Sequence, residues 1–123
     1  MSTPLPENGQ RILIFKNARL IEQMLERRKT MEIRGTHYKP GTFLLGCKGV
    51  VHASARFGPG VLIQSPLQFE RLRPKHMWPF KLGVFDKLPY RTTYGFPVER
   101  VEKMNIPFHH PMGAVSVVRY RKP

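Results

Sequence analysis

Between Asn17 and Arg34 the apolar spacing changes period, and this change constrains the fold more than any other feature of the chain. Leu20, Ile21, Met24 and Leu25 recur at the interval of a helix turn and form one stripe. Arg19, Glu22, Gln23, Glu26 and Arg27 take the other side, and Asn17 can cap the first turn, so the spacing predicts an amphipathic helix over 17–28. From Met31 the period falls to two. Met31 and Ile33 face one way and Glu32 and Arg34 the other, as on a strand. A helix that passes so abruptly into a strand has to bury its stripe against a nearby sheet.

The remainder reads mostly as short strands. Ile12–Phe15 is apolar on both faces and predicts a buried strand ahead of the helix. Pro40-Gly41 marks a turn into a strand over 42–47, and Lys48-Gly49 makes a tight turn into Val50–Phe57. There Val51, Ala53, Ala55 and Phe57 alternate with His52, Ser54 and Arg56. Residues 61–63 suit another short strand. Ser65 as cap and Pro66 at the first helical position predict a short helix to Leu72. The stretch 73–89 is rich in proline, glycine and basic residues and is loop-like around Trp78. Residues 92–98 and 114–121 read as strands, with a bulge or sheet edge at Pro97, and 101–106 continue the sheet. Short strands, Gly-rich turns and one amphipathic helix imply the α+β class. The expected form is a small β-barrel or strongly curved sheet with that helix packed against it and one further short helix. Residues 1–11 carry two prolines and a glycine without an apolar pattern and read as a flexible N-terminal arm before a single domain over 12–123.

Charge narrows the partners. The 123 residues are 41% hydrophobic and 11% aromatic, which suits one packed domain and excludes a disordered polar chain. Lys and Arg number 21 against 8 acids, a net charge of +13. Ten basic and four acidic residues lie in 1–61, eleven and four in 62–123, so the excess is woven through the fold. No acid occurs from Ile33 to Phe69, where Arg34, Lys39, Lys48 and Arg56 lie, nor from Lys103 onward. A compact domain this positive repels itself and usually meets a polyanion, whereas mixed signs would serve solubility alone. Nucleic acid is the expected partner.

Other classes fall away. The longest apolar runs are far shorter than the roughly 20 residues of a membrane helix, so no membrane association is expected. The opening residues lack a basic start followed by an apolar core, so no secretory leader is expected. A single cysteine, Cys47, allows neither an internal disulfide nor a CxxC site, and an intracellular, reducing compartment, the cytoplasm, is expected. Cys47 itself reads as a small core residue. Of the five histidines, His109 and His110 are adjacent while His37, His52 and His76 are far apart. No HxH or HExxH spacing occurs, so neither a metal nor a cofactor is expected.

The sharpest local pattern is Arg27-Arg28-Lys29-Thr30-Met31-Glu32-Ile33-Arg34, at the handover from helix to strand. It resembles the signature of the ASCH domain family, Gly-x-Lys-x-x-Glu-x-Arg. Lys29, Glu32 and Arg34 match, and Arg27 stands at the glycine, a departure that bears on the turn because glycine tolerates a positive φ that arginine ordinarily avoids. Thr93–Val98 resembles the late family strand that carries an aromatic. Ile106-Pro107-Phe108, followed by Gly113 and a closing strand, also falls in the family's order. The likeness spans roughly 12–121. ASCH domains are similar to PUA domains, so the resemblance implies a small PUA-like β-barrel with a cleft lined by the signature. It also implies RNA binding and, in some members, amidohydrolase action on acetylated cytidine or ribonuclease action. The amidohydrolase type uses the signature lysine, a threonine and a glutamate. Lys29 matches the lysine, Glu32 stands at the threonine, Thr30 is close in sequence, and Glu70 is the candidate glutamate by order.

Read as chemistry, Lys29, Glu32 and Arg34 form a cation–carboxylate–cation cluster. Its cations can hold a phosphate and its carboxylate can accept from a base edge, or the three can form an ion-pair network that pins the helix to the barrel. Arg27, Arg28, Lys48 and Arg56 are further candidate contacts to nucleic acid. Trp78, among the basic residues of Lys75–Phe80, suits either base stacking or anchoring of its loop. Three functions follow. The first is an RNA-binding module that holds single-stranded RNA or a nucleotide in a basic cleft at the Lys29/Glu32/Arg34 junction. The second is a hydrolase with Lys29 as nucleophile or base beside Glu32. The third is a structural subunit of a ribonucleoprotein. The oligomeric state is left open.

Overall fold

The computed structural model describes residues 5–80, 82, 86–108 and 117–122. Gly113, His109, His110 and the start of the expected closing strand lie outside the described residues. In chain order the elements are β1 (Arg11–Ile14), α1 (Ala18–Leu25), β2 (Met31–Arg34), β3 (Gly41–Cys47), β4 (Val50–Phe57) and β5 (Val61–Ile63). They are followed by α2 (Pro66–Arg71), α3 (Arg73–His76), β6 (Thr93–Pro107) and β7 (Val117–Arg119).

The strands form one sheet in the order β2-β6-β4-β3-β1-β7, with β5 also on β6. β1 runs parallel to β3 and the other pairings are antiparallel. The class is therefore α+β, with a curled, half-barrel sheet of mixed strands and short helices. The long β6 accounts for much of the curl. Its first residues pair with both β2 and β5, and the rest pairs with β4. Register shifts against β4 fall at Val51/Ala53 and Arg56/Phe57, and another separates Leu45 from Gly46 in the β3–β4 pair. Each extra residue bends its strand and strengthens the right-handed twist.

Alternation then sorts the core. Leu13, Phe43, Leu45, Ala53, Ala55, Phe57 and Phe96 pack with Ile21 and Met24 of α1 in one cluster, together with the buried Cys47. Ile12, Leu44, Val51, Ile106 and Tyr120 pack on the opposite face. A third cluster joins Met31, Ile33 and Ile63 to Phe69 of α2. The stripe of α1 is therefore buried as its spacing demands, and Asn17 caps the helix by accepting from the Arg19 N–H at 2.9 Å. Ser65 caps α2 in the same way through the Gln68 N–H at 3.1 Å, with Pro66 in the first turn.

Three local features differ from the sequence pattern. α1 stops at Leu25, short of Arg28, because Arg27 turns into the left-handed region at φ 62. The Arg28 and Arg27 N–H groups then donate to the carbonyls of Gln23 and Met24, both at 2.9 Å, which is a Schellman closure with arginine in the place glycine usually takes. The expected strands over 92–98 and 101–106 are one strand, bent near Pro97. Arg73–His76, at the start of the proline- and glycine-rich stretch, makes a further helical turn. At the other end, the Gly9 N–H donates to the Tyr120 carbonyl and the Tyr120 N–H to that of Gln10, so the β1–β7 ladder continues back to Gly9. Among the described residues no helix is long and apolar enough to cross a membrane.

Candidate functional site

The Schellman closure of α1 sets the direction in which the chain enters β2. It leaves Lys29 just ahead of the strand, where the extended backbone puts Glu32 and Arg34 on one face. Met31 and Ile33 point the other way into the third core cluster. The predicted trio is brought together. Lys29 Nζ lies 3.2 Å from Glu32 Oε1, and Arg34 Nε and Nη2 both lie 2.9 Å from Oε2. Lys29 is 2% exposed and Glu32 5%, so this is a desolvated cluster and not a rim of surface charges.

Each cation has a second attachment. Lys29 Nζ donates to the His76 carbonyl at the end of α3, at 2.5 Å. Arg34 Nη2 donates to the Ile14 carbonyl at the end of β1, and its guanidinium lies over the Phe15 ring at 4.8 Å. Burial alone would raise the Glu32 carboxyl, but the adjacent Lys29 and Arg34 outweigh it and hold the group below its ordinary value. Glu32 is therefore an anion at neutral pH.

On the other side of this cluster the curled sheet leaves a small hollow of about 10 Å³, lined by Leu13, Glu32, Arg34, Tyr38, Phe43, Phe57 and Phe96, which is room for about one water. Its rings are mutually braced. Phe43 meets Tyr38 and Phe57 edge to face at 5.9 and 5.6 Å, and Tyr38 lies 6.0 Å from Phe96. Next to it His37 stacks on Tyr94 at 4.7 Å with an interplanar angle of 15°. Arg11 packs on one of these rings, its guanidinium 3.7 Å above Phe43 and its Nη1 donating to the Lys39 carbonyl.

The remaining candidates lie apart from the hollow. Arg27 and Arg28 are exposed at the helix–strand turn, with Arg28 held by Glu26 at 2.8 Å. Lys48 and Gly49, at φ 49 and 80, are the two central residues of a type I′ hairpin turn. Arg56 is exposed and lies 3.3 Å from Glu99. Thr30 is exposed, and its backbone bonds to Lys75 and Val98. Glu70 makes a two-pronged pair with Arg73 at 2.6 Å on each prong and accepts from the Leu82 N–H. The Arg73 hydrogen bonds, then that from Leu82, push it down to about 2. Arg73 also donates to the carbonyls of Trp78 and Phe80. Trp78 packs edge-on against Phe69 and Tyr90 and anchors its loop. Among the described residues no group of three or more His, Cys, Asp or Glu side chains could hold a metal ion.

Sequence reasoning finds the charged trio but misses the walls of the hollow and its closest structural neighbour, His76. That ring is fully buried, with Nε2 2.8 Å from the Phe69 carbonyl and Nδ1 accepting from the Trp78 N–H at 2.9 Å. Both nitrogens are thereby assigned to the neutral form with the proton on Nε2. Burial lowers its pKa, although the Phe69 carbonyl pulls the other way. In comparisons with known proteins, no protein-family model matches the chain and no curated protein matches it.

Proposed function

We propose that the protein is an RNA-binding module of the PUA-like, ASCH type, which holds an unstacked base of single-stranded RNA against the half-exposed rings of Tyr38 and Tyr94 beside Arg34. The observation that carries the reading is this group of rings: the exposed His37 stacked on the half-buried Tyr94, with the half-buried Tyr38 packed against Phe96 and Arg34 beside them. Single-stranded RNA is recognised by splaying bases out, stacking them on aromatic rings and bonding their edges. The net charge of +13 adds attraction for the phosphate backbone without adding base choice. A cytoplasmic location goes with this reading, supported by the buried, unpaired Cys47.

The hydrolase reading asks the Lys29 amine to reach a substrate. That amine is held by Glu32 and the His76 carbonyl, and Lys29 is not among the residues lining the hollow. Binding is the function the geometry favours.

Titration of short single-stranded RNA at several salt concentrations tests the proposal. A log–log slope of several units is expected. Tyr38→Ala should weaken binding by about 1–3 kcal/mol, the worth of one base stacked on an aromatic ring. RNA affinity unchanged in Tyr38→Ala would rule the Tyr38 ring out of the base site.

A further inference from the structure

A further ordered ring stands beside the group formed by His37, Tyr38 and Tyr94. Tyr90 is 39% exposed, yet three contacts hold it in place. Beneath it lies the backbone of Gly35. A Cβ at Gly35 would stand 2.8 Å from two carbons of the Tyr90 ring, so the ring can seat there only because the position is glycine. Against its edge lies Trp78, with ring centroids 6.2 Å apart and planes at 77°. The hydroxyl of the fully buried Thr93 accepts from the Tyr90 N–H at 3.2 Å and donates to the Tyr90 carbonyl at 2.9 Å. That pair of bonds pins the Tyr90 backbone to the first residue of β6.

Exposed side chains ordinarily keep their rotamer freedom, because ordering them costs conformational entropy. A ring that is exposed and already ordered offers a flat face that a ligand can cover with little further ordering cost. The chain also ties this ring to the first group. Arg34 is the cross-strand partner of Tyr94, Gly35 follows it, and His37, which stacks on Tyr94, lies two residues further on. The Cα atoms of Gly35 and His37 are therefore at most about 7 Å apart. Burial raises the Tyr90 pKa, and the neighbouring groups whose charges act on its hydroxyl are Arg34, Glu32 and Tyr38. The ring thus reaches toward the same cluster.

We infer that Tyr90 is a second base platform, so that the protein holds two consecutive nucleotides of single-stranded RNA, one on the His37 and Tyr94 rings and the next on Tyr90. This inference rests on the RNA-binding reading above and sets the length of RNA the site takes. Every base has a face that can stack on a ring, and the net charge of +13 favours a polyanion over an apolar peptide as the occupant.

The test compares the dinucleotide uridylyl-uridine with uridine monophosphate, which carry one phosphate each, on the full chain. The dinucleotide should bind about 5–150-fold more tightly, the worth of one more stacked base. Tyr90→Ala should remove that gain while uridine monophosphate binds nearly as before. Gly35→Ala should do the same, because its Cβ displaces the ring at a position where glycine has no positive φ to supply. Tyr90→Phe keeps the ring and should bind as the unmodified protein does. A dinucleotide that binds no more tightly than the monophosphate overturns the second platform. So does a gain that survives Tyr90→Ala, or Gly35→Ala where the first variant does not fold, and so does a gain lost in Tyr90→Phe. Each of these results leaves the RNA-binding reading standing. Failure of the unmodified protein to bind either the dinucleotide or longer single-stranded RNA removes that reading, and the platform with it.

Discussion

Arg34 donates through Nη2 to the Ile14 carbonyl at 2.9 Å and so joins β2 to β1, two strands that share no ladder. β2 begins the strand order and β1 lies next to its far end, so one side chain spans the open side of the half-barrel. The same guanidinium holds Glu32 in the wall of the hollow. Site and closure are therefore one structure.

Arg34→Ala should destabilise the fold by about 3 kcal/mol, because removing one partner leaves a buried carboxylate short of charge. Arg34→Lys keeps the charge but loses the fork that serves Glu32 and Ile14 together, so it should recover only part of that loss. Urea denaturation measures both. Equal stability of all three proteins would show that the bridge carries no load.

Lys29→Met removes the other partner and leaves the His76 carbonyl without its donor. It should also cost about 3 kcal/mol. RNA affinity per folded molecule should change little, since Lys29 does not line the hollow. Binding measured well below the unfolding midpoint separates the two effects. A large loss of affinity in a fully folded Lys29→Met protein would place the lysine in the binding site.

Acid should unfold the protein in two stages. Glu32, Glu70 and His76 all have folded-state values below their ordinary ones. As pH falls, the unfolded chain takes up each proton before the folded chain does, which pulls the equilibrium toward unfolding. The His76 contribution is complete above its ordinary value of 6.5 and declines below it. The Glu70 contribution declines between 4.5 and about 2, and Glu32 adds to the loss below 4.5. Thermal midpoints measured from pH 8 to pH 3 should fall in these windows, and His76→Gln should flatten the upper one. An upper stage that persists in His76→Gln would assign it to another group.

Arg27→Gly should stabilise the protein by about 1 kcal/mol. A left-handed residue with a Cβ costs about that much, while glycine adopts the conformation freely. The gain is partly offset by the greater freedom of glycine in the unfolded chain. Denaturation midpoints decide the sign, and a lower midpoint for Arg27→Gly would mean that unfolded-state entropy outweighs the relieved strain.

What could be read from the sequence follows the range of each interaction. α1, α2 and the Lys48-Gly49 hairpin are specified by neighbours a few residues apart, and Asn17, Ser65 and Pro66 mark their starts plainly. The charged trio is legible for the same reason, since Lys29, Glu32 and Arg34 lie within one turn and one strand. The hollow is not. Leu13, Phe43, Phe57 and Phe96 each read as core, and only the curl imposed by the bulges in β3, β4 and β6 leaves space between them. His76 has no local signal either, because its partners are backbone groups brought in by α2 and the following loop. The end of α1 escapes detection because arginine, and not glycine, occupies the left-handed position.

The Arg119–Gly9 bond links residues 110 positions apart, whereas the β3–β4 hairpin closes through a two-residue turn. Loop-closure entropy sets the sequence of events in folding, so the hairpin forms early and the β1–β7 seam is among the last parts to assemble. Substitutions in β7 should speed unfolding while leaving the refolding rate nearly unchanged. The seam that pairs Arg11 with Arg119 thus closes only after the β3–β4 hairpin has formed, and a nascent chain presents that hairpin well before β1 and β7 meet.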